Sequence, residues 1–126
     1  MSGGGAFMFQ RPPTATGGST LTAPIGAGGS ARGKGAVHAF AANTCTPAGG
    51  TAPYTYAWSE SYDANGIWTP LTATTASITP AVAGVSGGVT SSAWFKCRVT
   101  DNVGAVAVSN LAGYDYTCTD TGGGYY

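Results

Sequence analysis

The clearest pattern in the sequence is an alternation of apolar and outward-pointing residues between positions 92 and 100. The residues expected to face the interior are Ala93, Phe95, Cys97 and Val99, and those expected to face outward are Trp94, Lys96, Arg98 and Thr100. A period of two is typical of a strand with one buried face. The same period places Tyr54, Tyr56 and Trp58 on one face of a second strand, over 53–60.

Short apolar stretches separated by turn signals continue along the chain from Ala36. The signals are glycine, proline, asparagine and aspartate clusters, such as Asn65-Gly66, which suits a tight hairpin. Phe40 is out of phase in the first stretch, and a bulge there would resolve the conflict. Strands at this spacing predict an all-β sandwich or barrel. The predicted strands are 36–46, 53–60, 66–71, 75–79, 92–100 and 105–111.

The first 35 residues have a different composition, with ten glycines and three prolines. Such a segment disfavours regular structure, and we predict an extended arm over 1–35, a β-sandwich over 36–118 and a tail over 119–126. The apolar run Phe7, Met8 and Phe9 is flanked by glycine-rich sequence and predicts a docking anchor on a tether. The tail Gly122-Gly-Gly-Tyr-Tyr126 has a similar design, and it is either a second docking element or a frayed end.

Charge is scarce and balanced, with five basic and five acidic residues, 8% of the chain in all. Nucleic acids and anionic membranes recruit clustered Lys and Arg, so neither is an expected partner. A net charge near zero promotes association, which favours a protein that packs against others. The first residues lack the basic and apolar regions of a signal peptide, so we expect synthesis in the cytoplasm with reduced cysteines.

Three residues carry a resemblance to a known family. Cys45, Trp58 and Cys97 are separated by 12 and 38 residues, and this spacing resembles the framework of immunoglobulin-like domains, in which a tryptophan packs against a pair of cysteines from opposite sheets. The stretches 49–58 and 99–104 are similar to PKD-like and bacterial Ig-like modules, which are common in tailed-bacteriophage virion proteins. The resemblance covers Ala36 to about Leu111.

The resemblance implies an immunoglobulin-like β-sandwich whose structural core includes Cys45, Trp58, Phe95 and Cys97. Phe95 stands where the family usually has a tyrosine, so the family's tyrosine-corner hydrogen bond is not expected. Cys45 and Cys97 either form a disulfide or remain two buried thiols. Cys118, the odd cysteine, is interpreted as a buried or idle thiol.

The sequence offers little for catalysis. His38 is the single histidine, and no cysteine or second histidine stands at metal-ligand spacing from it. Asp63-Ala-Asn-Gly66 resembles the opening of a calcium loop but lacks the downstream glutamate, so a hairpin turn is favoured. We therefore predict no catalytic, cofactor or metal site, and no enzyme.

The function implied by the resemblance is that of a virion structural protein, located in the virion after synthesis in a host cell. It would be a capsid decoration (cement) subunit or another head- or tail-associated subunit. Its expected partners are major capsid or tail proteins and copies of itself, contacted through the arm. The alternative is an adhesion module for carbohydrate or a cell surface, with Trp58, Trp68 and Trp94 as the candidate stacking platforms for a host-surface glycan. Residues Trp94, Lys96 and Arg98 are the predicted surface contact.

Overall fold

The computed structural model describes residues 19–119, and every strand named below lies in that range. This part of the chain is all-β, and it contains no helix that could span a membrane. Most predicted strands overlap a strand of the structure, whereas the strands at 29–33, 81–83 and 112–118 were not predicted. The strands are β1 Gly29–Gly33, β2 Val37–Ala39, β3 Asn43–Thr44, β4 Thr55–Ser61, β5 Thr69–Pro70, β6 Ser77–Ile78, β7 Ala81–Ala83, β8 Thr90–Thr100, β9 Val106–Val108 and β10 Ala112–Cys118.

The largest sheet is built around β8, the longest strand. Its order is β1-β10-β8-β4-β5, with β9 also pairing with β8. All pairs are antiparallel except β1 with β10, which is parallel. Arg98 faces Val108 in β9, and Phe95 faces Ala112 in β10. Three residues along β8 therefore match four residues along the segment that contains β9 and β10. The extra residue is a bulge that divides one long edge into β9 and β10.

A second layer is formed by β2 with β7 and by β3 with β6, both antiparallel. Ala39 faces Ala81 and Asn43 faces Ile78. The segment from Ala39 to Asn43 therefore advances four residues, whereas the segment it faces, from Ile78 to Ala81, spans only three. The extra residue lies at 40–42, and this bulge explains why Phe40 is out of phase with the alternation. Residues 21–25 join the same layer through Thr22, which is bridged to Ala48.

The two layers share one apolar core, as expected for a sandwich-like arrangement. The alternation predicted for β8 is observed, since Ala93, Phe95, Cys97 and Val99 are all buried. Trp58 is 1% exposed, and its indole Nε1 donates a 2.8 Å hydrogen bond to the carbonyl of Thr75. The second layer contributes buried residues from three places along the chain: Leu21, Ala23, Ile25, Cys45 and Val82.

The predicted arm is wrong for residues 21–33, which belong to the folded domain. Leu21, Ala23 and Ile25 are buried at every second position, and β1 pairs with β10 over its whole length. The glycine content was misleading because Gly28 serves close packing: a Cβ there would collide with the carbonyl of Gly113. The predicted anchor Phe7–Phe9 and most of the tail lie outside the described residues.

Candidate docking surface

His38 and the turn aspartates Asp63 and Asp101 have structural roles in the fold. Within residues 19–119, no group of three His, Cys, Asp or Glu side chains is placed to hold a metal ion. His38 stacks on Tyr116, with ring centroids 5.2 Å apart, and meets the edge of Phe40 at 4.6 Å. It therefore packs in an aromatic cluster.

The aspartates of the two predicted turns bind backbone groups. Asp63 accepts a 2.6 Å hydrogen bond from the N–H of Gly66, as a hairpin turn requires. Asp101 is 6% exposed and accepts backbone hydrogen bonds from Thr51, Val103 and Ala105 at 2.8–3.0 Å. Burial alone would raise the pKa of Asp101, but these backbone donors outweigh burial and lower it.

All three cysteines are buried, and Cys45 and Cys97 form no disulfide. Cys45 and Cys97 come from opposite layers and hydrogen-bond to each other beside Trp58, which lies opposite Cys97 on β4. Burial, followed by the neighbouring Cys45, raises the pKa of Cys97 to about 12, and burial also raises the pKa of Cys45. Because the thiolate is the reactive form, these two groups act as core residues.

The outer face of the large sheet carries a groove of about 350 Å³. Lys96 and Arg98 line it, as does Trp68, whose ring centroid lies 4.2 Å from the Lys96 Nζ. This distance is that of a cation–π contact. Directly opposite Lys96 and Arg98 on β4 are Ser59 and Ala57, which carry no charge. The groove therefore combines two cations with an aromatic ring and apolar walls. We name it the cationic groove.

Only part of the predicted surface contact lies in the cationic groove. Trp94 is not among the lining residues; it is half-buried and packs so closely over Gly113 that a Cβ there would lie 2.6 Å from its indole nitrogen. Trp68 provides the aromatic ring instead. No local sequence signal indicates this role of Trp68, because Trp68 reaches Lys96 through the pairing of β4 with both β5 and β8.

Beside the groove, β9 forms an open edge of the sheet. Val106 and Val108 are 55% and 56% exposed, and Val108 also lines the cationic groove. Residues 102–114 contain no charged side chain and no proline. Natural proteins usually protect edge strands with charges, proline or a covering segment. The β9 edge has none of these among the described residues.

The other edges of the same sheet are protected. The strand β5 is two residues long and ends at Pro70, which has no N–H to offer a further strand. The edge of β10 is covered by β1 from Tyr114 to Cys118, and β1, the end strand on that side, carries the exposed charge of Arg32. The lack of protection is therefore a local property of β9.

The tryptophans do not form one open stacking platform. Trp58 is buried, Trp68 and Trp94 are half-buried, and Lys96 lies over the ring of Trp68. A carbohydrate site built on all three rings is therefore ruled out by the burial of Trp58. Trp68 in the cationic groove remains available as a tryptophan ring for a sugar.

Comparisons with known proteins do not place the chain in a family. No family model matches the sequence. No curated protein and no solved structure matches it significantly.

Proposed function

We propose that this chain is a non-enzymatic docking module with an immunoglobulin-like sandwich. In this proposal, β2/β3 and β6/β7 correspond to the B and E strands of such a domain. The strands β4, β8 and β9/β10 correspond to its C, F and G strands. The contact of Cys45 with Cys97 across the two layers, beside Trp58, supports this correspondence.

The observation that carries the docking role is the unprotected β9 edge. An exposed apolar strand with unpaired backbone groups is a template for a partner strand. The balanced charge of the chain does not oppose such association. The acidic residues Asp63 and Asp101 are occupied in loops, which leaves binding as the better-supported role.

The proposed setting is a tailed-bacteriophage virion, in which the chain is a capsid decoration or other head- or tail-associated subunit. The support is the resemblance of the stretch from Ala36 to about Leu111 to Ig-like domains of virion proteins. The proposed partners are major capsid or tail proteins and further copies of the chain. The anchor Phe7–Phe9 would bury apolar area on them, and each large side chain buried would contribute roughly 1.5–3 kcal/mol.

The experiment compares three forms of the full chain during particle assembly. The first lacks residues 1–18, and the second carries Phe7→Ser, Met8→Ser and Phe9→Ser. The matched control carries Thr14→Ala and Thr16→Ala in the same segment. Particles are purified on a density gradient, and the chain is quantified by immunoblot.

We expect the control to be incorporated normally and the first two forms to be lost from particles while remaining folded by circular dichroism. Normal incorporation of the form lacking residues 1–18 would refute docking through this segment. Absence of the unmodified chain from the particles would refute the virion setting.

A second candidate function is binding of an acidic sugar in the cationic groove. Lys96 and Arg98 supply positive charge and Trp68 supplies a ring, a combination that suits a carboxylate on a sugar. Calorimetric titration with sialic or uronic acid oligosaccharides tests it. Binding that is lost in Arg98→Gln supports this function, whereas equal binding by that variant excludes the groove.

A further inference from the structure

The backbone of β9 has hydrogen-bonding groups that the described sheet does not use. Asp101 donates to the carbonyl of Ala105, and Ser109 donates to the carbonyl of Cys97. In an antiparallel pair, the residues that bond to the partner alternate with residues whose groups point away. Ala105, Ala107 and Ser109 therefore face β8, and the N–H and C=O groups of Val106 and Val108 point outward. No other strand among residues 19–119 pairs with β9.

The size of this edge limits what can occupy it. The strand has three residues, whereas a stable interface buries roughly 800 Å² on each partner. Pairing of two free β9 edges would be much smaller than that. An occupant connected to a neighbouring folded domain is favoured, because reciprocal exchange makes the second contact intramolecular.

The path of the chain at Ser19 indicates where such an occupant comes from. The carbonyl of Ser19 accepts a hydrogen bond from Gly50, and Thr51 in turn donates to Asp101 at the turn that precedes β9. From there the chain runs to Ile25, whose N–H donates to the side chain of Asn110 just beyond β9. Residues 19–25 therefore run in the same direction as β9. A continuation backward from Ser19 leads past the turn and away from the chain's own β9.

The segment before Ser19 has a sequence suited to strand addition. The run Ala6-Phe7-Met8-Phe9-Gln10 is uncharged, and its phenylalanines are two residues apart, so they would share one face of a strand. That face can cover Val106 and Val108, which share the outer face with Arg98. Residues 11–18 are long enough to reach a neighbour, at up to roughly 3.3–3.6 Å per residue.

We propose that β9 accepts residues 6–10 of a neighbouring copy as an added parallel strand, in the register that places Phe7 beside Val106 and Phe9 beside Val108, so that Gln10 lies next to Val108. This inference rests on the proposed docking function and identifies its acceptor surface. The phenylalanines of the added strand cover Val106 and Val108, and its backbone bonds to the outward groups of these two valines. Exchange in both directions joins two copies.

The first test is cross-linking between differently tagged copies. One copy carries Gln10→Cys and the other carries Val108→Cys, and a short bismaleimide is added to the mixture. The native cysteines are buried, so the introduced thiols react selectively. The control replaces Val108→Cys by Val37→Cys, since Val37 is similarly exposed, at 60%, but lies in the second layer.

We expect a mixed dimer of Gln10→Cys with Val108→Cys and little product with Val37→Cys. Equal yields at both valines would overturn the proposal. Dimers formed by Val108→Cys alone would show that β9 pairs with β9, which also overturns it. A chain carrying both Gln10→Cys and Val108→Cys that cross-links only within itself would show that the segment returns to its own domain.

The second test blocks the edge without disturbing β8. Val108→Pro removes an outward N–H, so the ladder to β8 keeps its bonds, whereas Val108→Thr keeps the N–H in the matched control. By sedimentation, we expect Val108→Pro to weaken self-association by about tenfold or more, the equivalent of about 1.4 kcal/mol, and Val108→Thr to have a smaller effect. Circular dichroism confirms that each variant is folded.

The two proposals can fail separately. If removal of residues 1–18 abolishes incorporation into particles while Val108→Pro associates normally, the docking function stands and the β9 acceptor is wrong. If removal of residues 1–18 has no effect on incorporation, the docking function itself fails.

Discussion

Removal of residues 1–35 should unfold the domain, whereas removal of residues 1–18 should leave it folded. The larger deletion takes away buried Leu21 and Ile25 together with β1. Each of the two side chains contributes roughly 1.5–3 kcal/mol by burial, or about 3–6 kcal/mol for both. Loss of β1 also exposes the edge of β10. The sum approaches the entire stability of a typical small domain, about 5–15 kcal/mol.

The assay is urea unfolding followed by tryptophan fluorescence, which reports on buried Trp58. The deletion of 1–18 keeps every residue of the described core, and we expect its free energy of unfolding to stay within about 1 kcal/mol of the full chain. The deletion of 1–35 should show no cooperative transition. Point variants separate the effect of burial from that of truncation. Ile25→Ala should lower the free energy of unfolding by about 2–5 kcal/mol, whereas the control Val37→Ala, at an exposed position, should lower it by about 0.5 kcal/mol or less.

A cooperative transition of unchanged midpoint for residues 36–126 would refute this reasoning. It would mean that residues 21–33 lie on the sandwich without stabilising it. Loss of folding on removal of residues 1–18 would also refute the reasoning, because it would mean that this segment stabilises the domain.

Three further predictions concern single groups. Asn43 bonds both backbone groups of Gly26 and the hydroxyl of Tyr114 at 2.7–2.9 Å, so Asn43→Ala should cost about 2–4 kcal/mol in urea unfolding; simple additivity with Tyr114→Phe would contradict a direct bond. The lowered pKa of Asp101 means that its carboxylate stabilises the fold above the unfolded pKa of about 3.9, and that this stability is lost as pH falls through the folded pKa. The melting temperature of Asp101→Asn should therefore fall less between pH 7 and pH 3 than that of the unmodified chain. Cys45 and Cys97 should resist a thiol reagent at neutral pH until urea unfolds the chain, and rapid labelling of the native protein would contradict their burial.

The sequence predicts well the parts of the fold that depend on local alternation. The strand β8 and the inward side of Cys97 follow from its two-residue period, and the bulge near Phe40 follows from a break in that period. The strand β10 was missed although Ala112, Tyr114, Tyr116 and Cys118 are all buried. The glycine at position 113, in the interior of this strand, weakens the local strand signal.

The docking surface was less predictable because it depends on pairing between distant segments. Lys96 and Arg98 were identified from their outward positions, but Trp68 joins them only through the register of β5 on β4. The open edge at β9 depends on where β1 stops covering β10. A parallel contact between residues 29–33 and 114–118 has no local signal in either segment.

The close approach of Gly28 to Gly113 has a consequence for how this chain can vary. A side chain at Gly28 would collide with the backbone of Gly113, and one at Gly113 would collide with the indole of Trp94. Gly28 is therefore fixed, because it meets backbone atoms that no substitution can remove, whereas Gly113 can become larger only if Trp94 becomes smaller. Random mutagenesis with selection for folding should return Gly28 unchanged and compensating pairs only at Gly113 and Trp94, while Gly87 and Gly88, which have open space around them, should be limited only by their left-handed backbone.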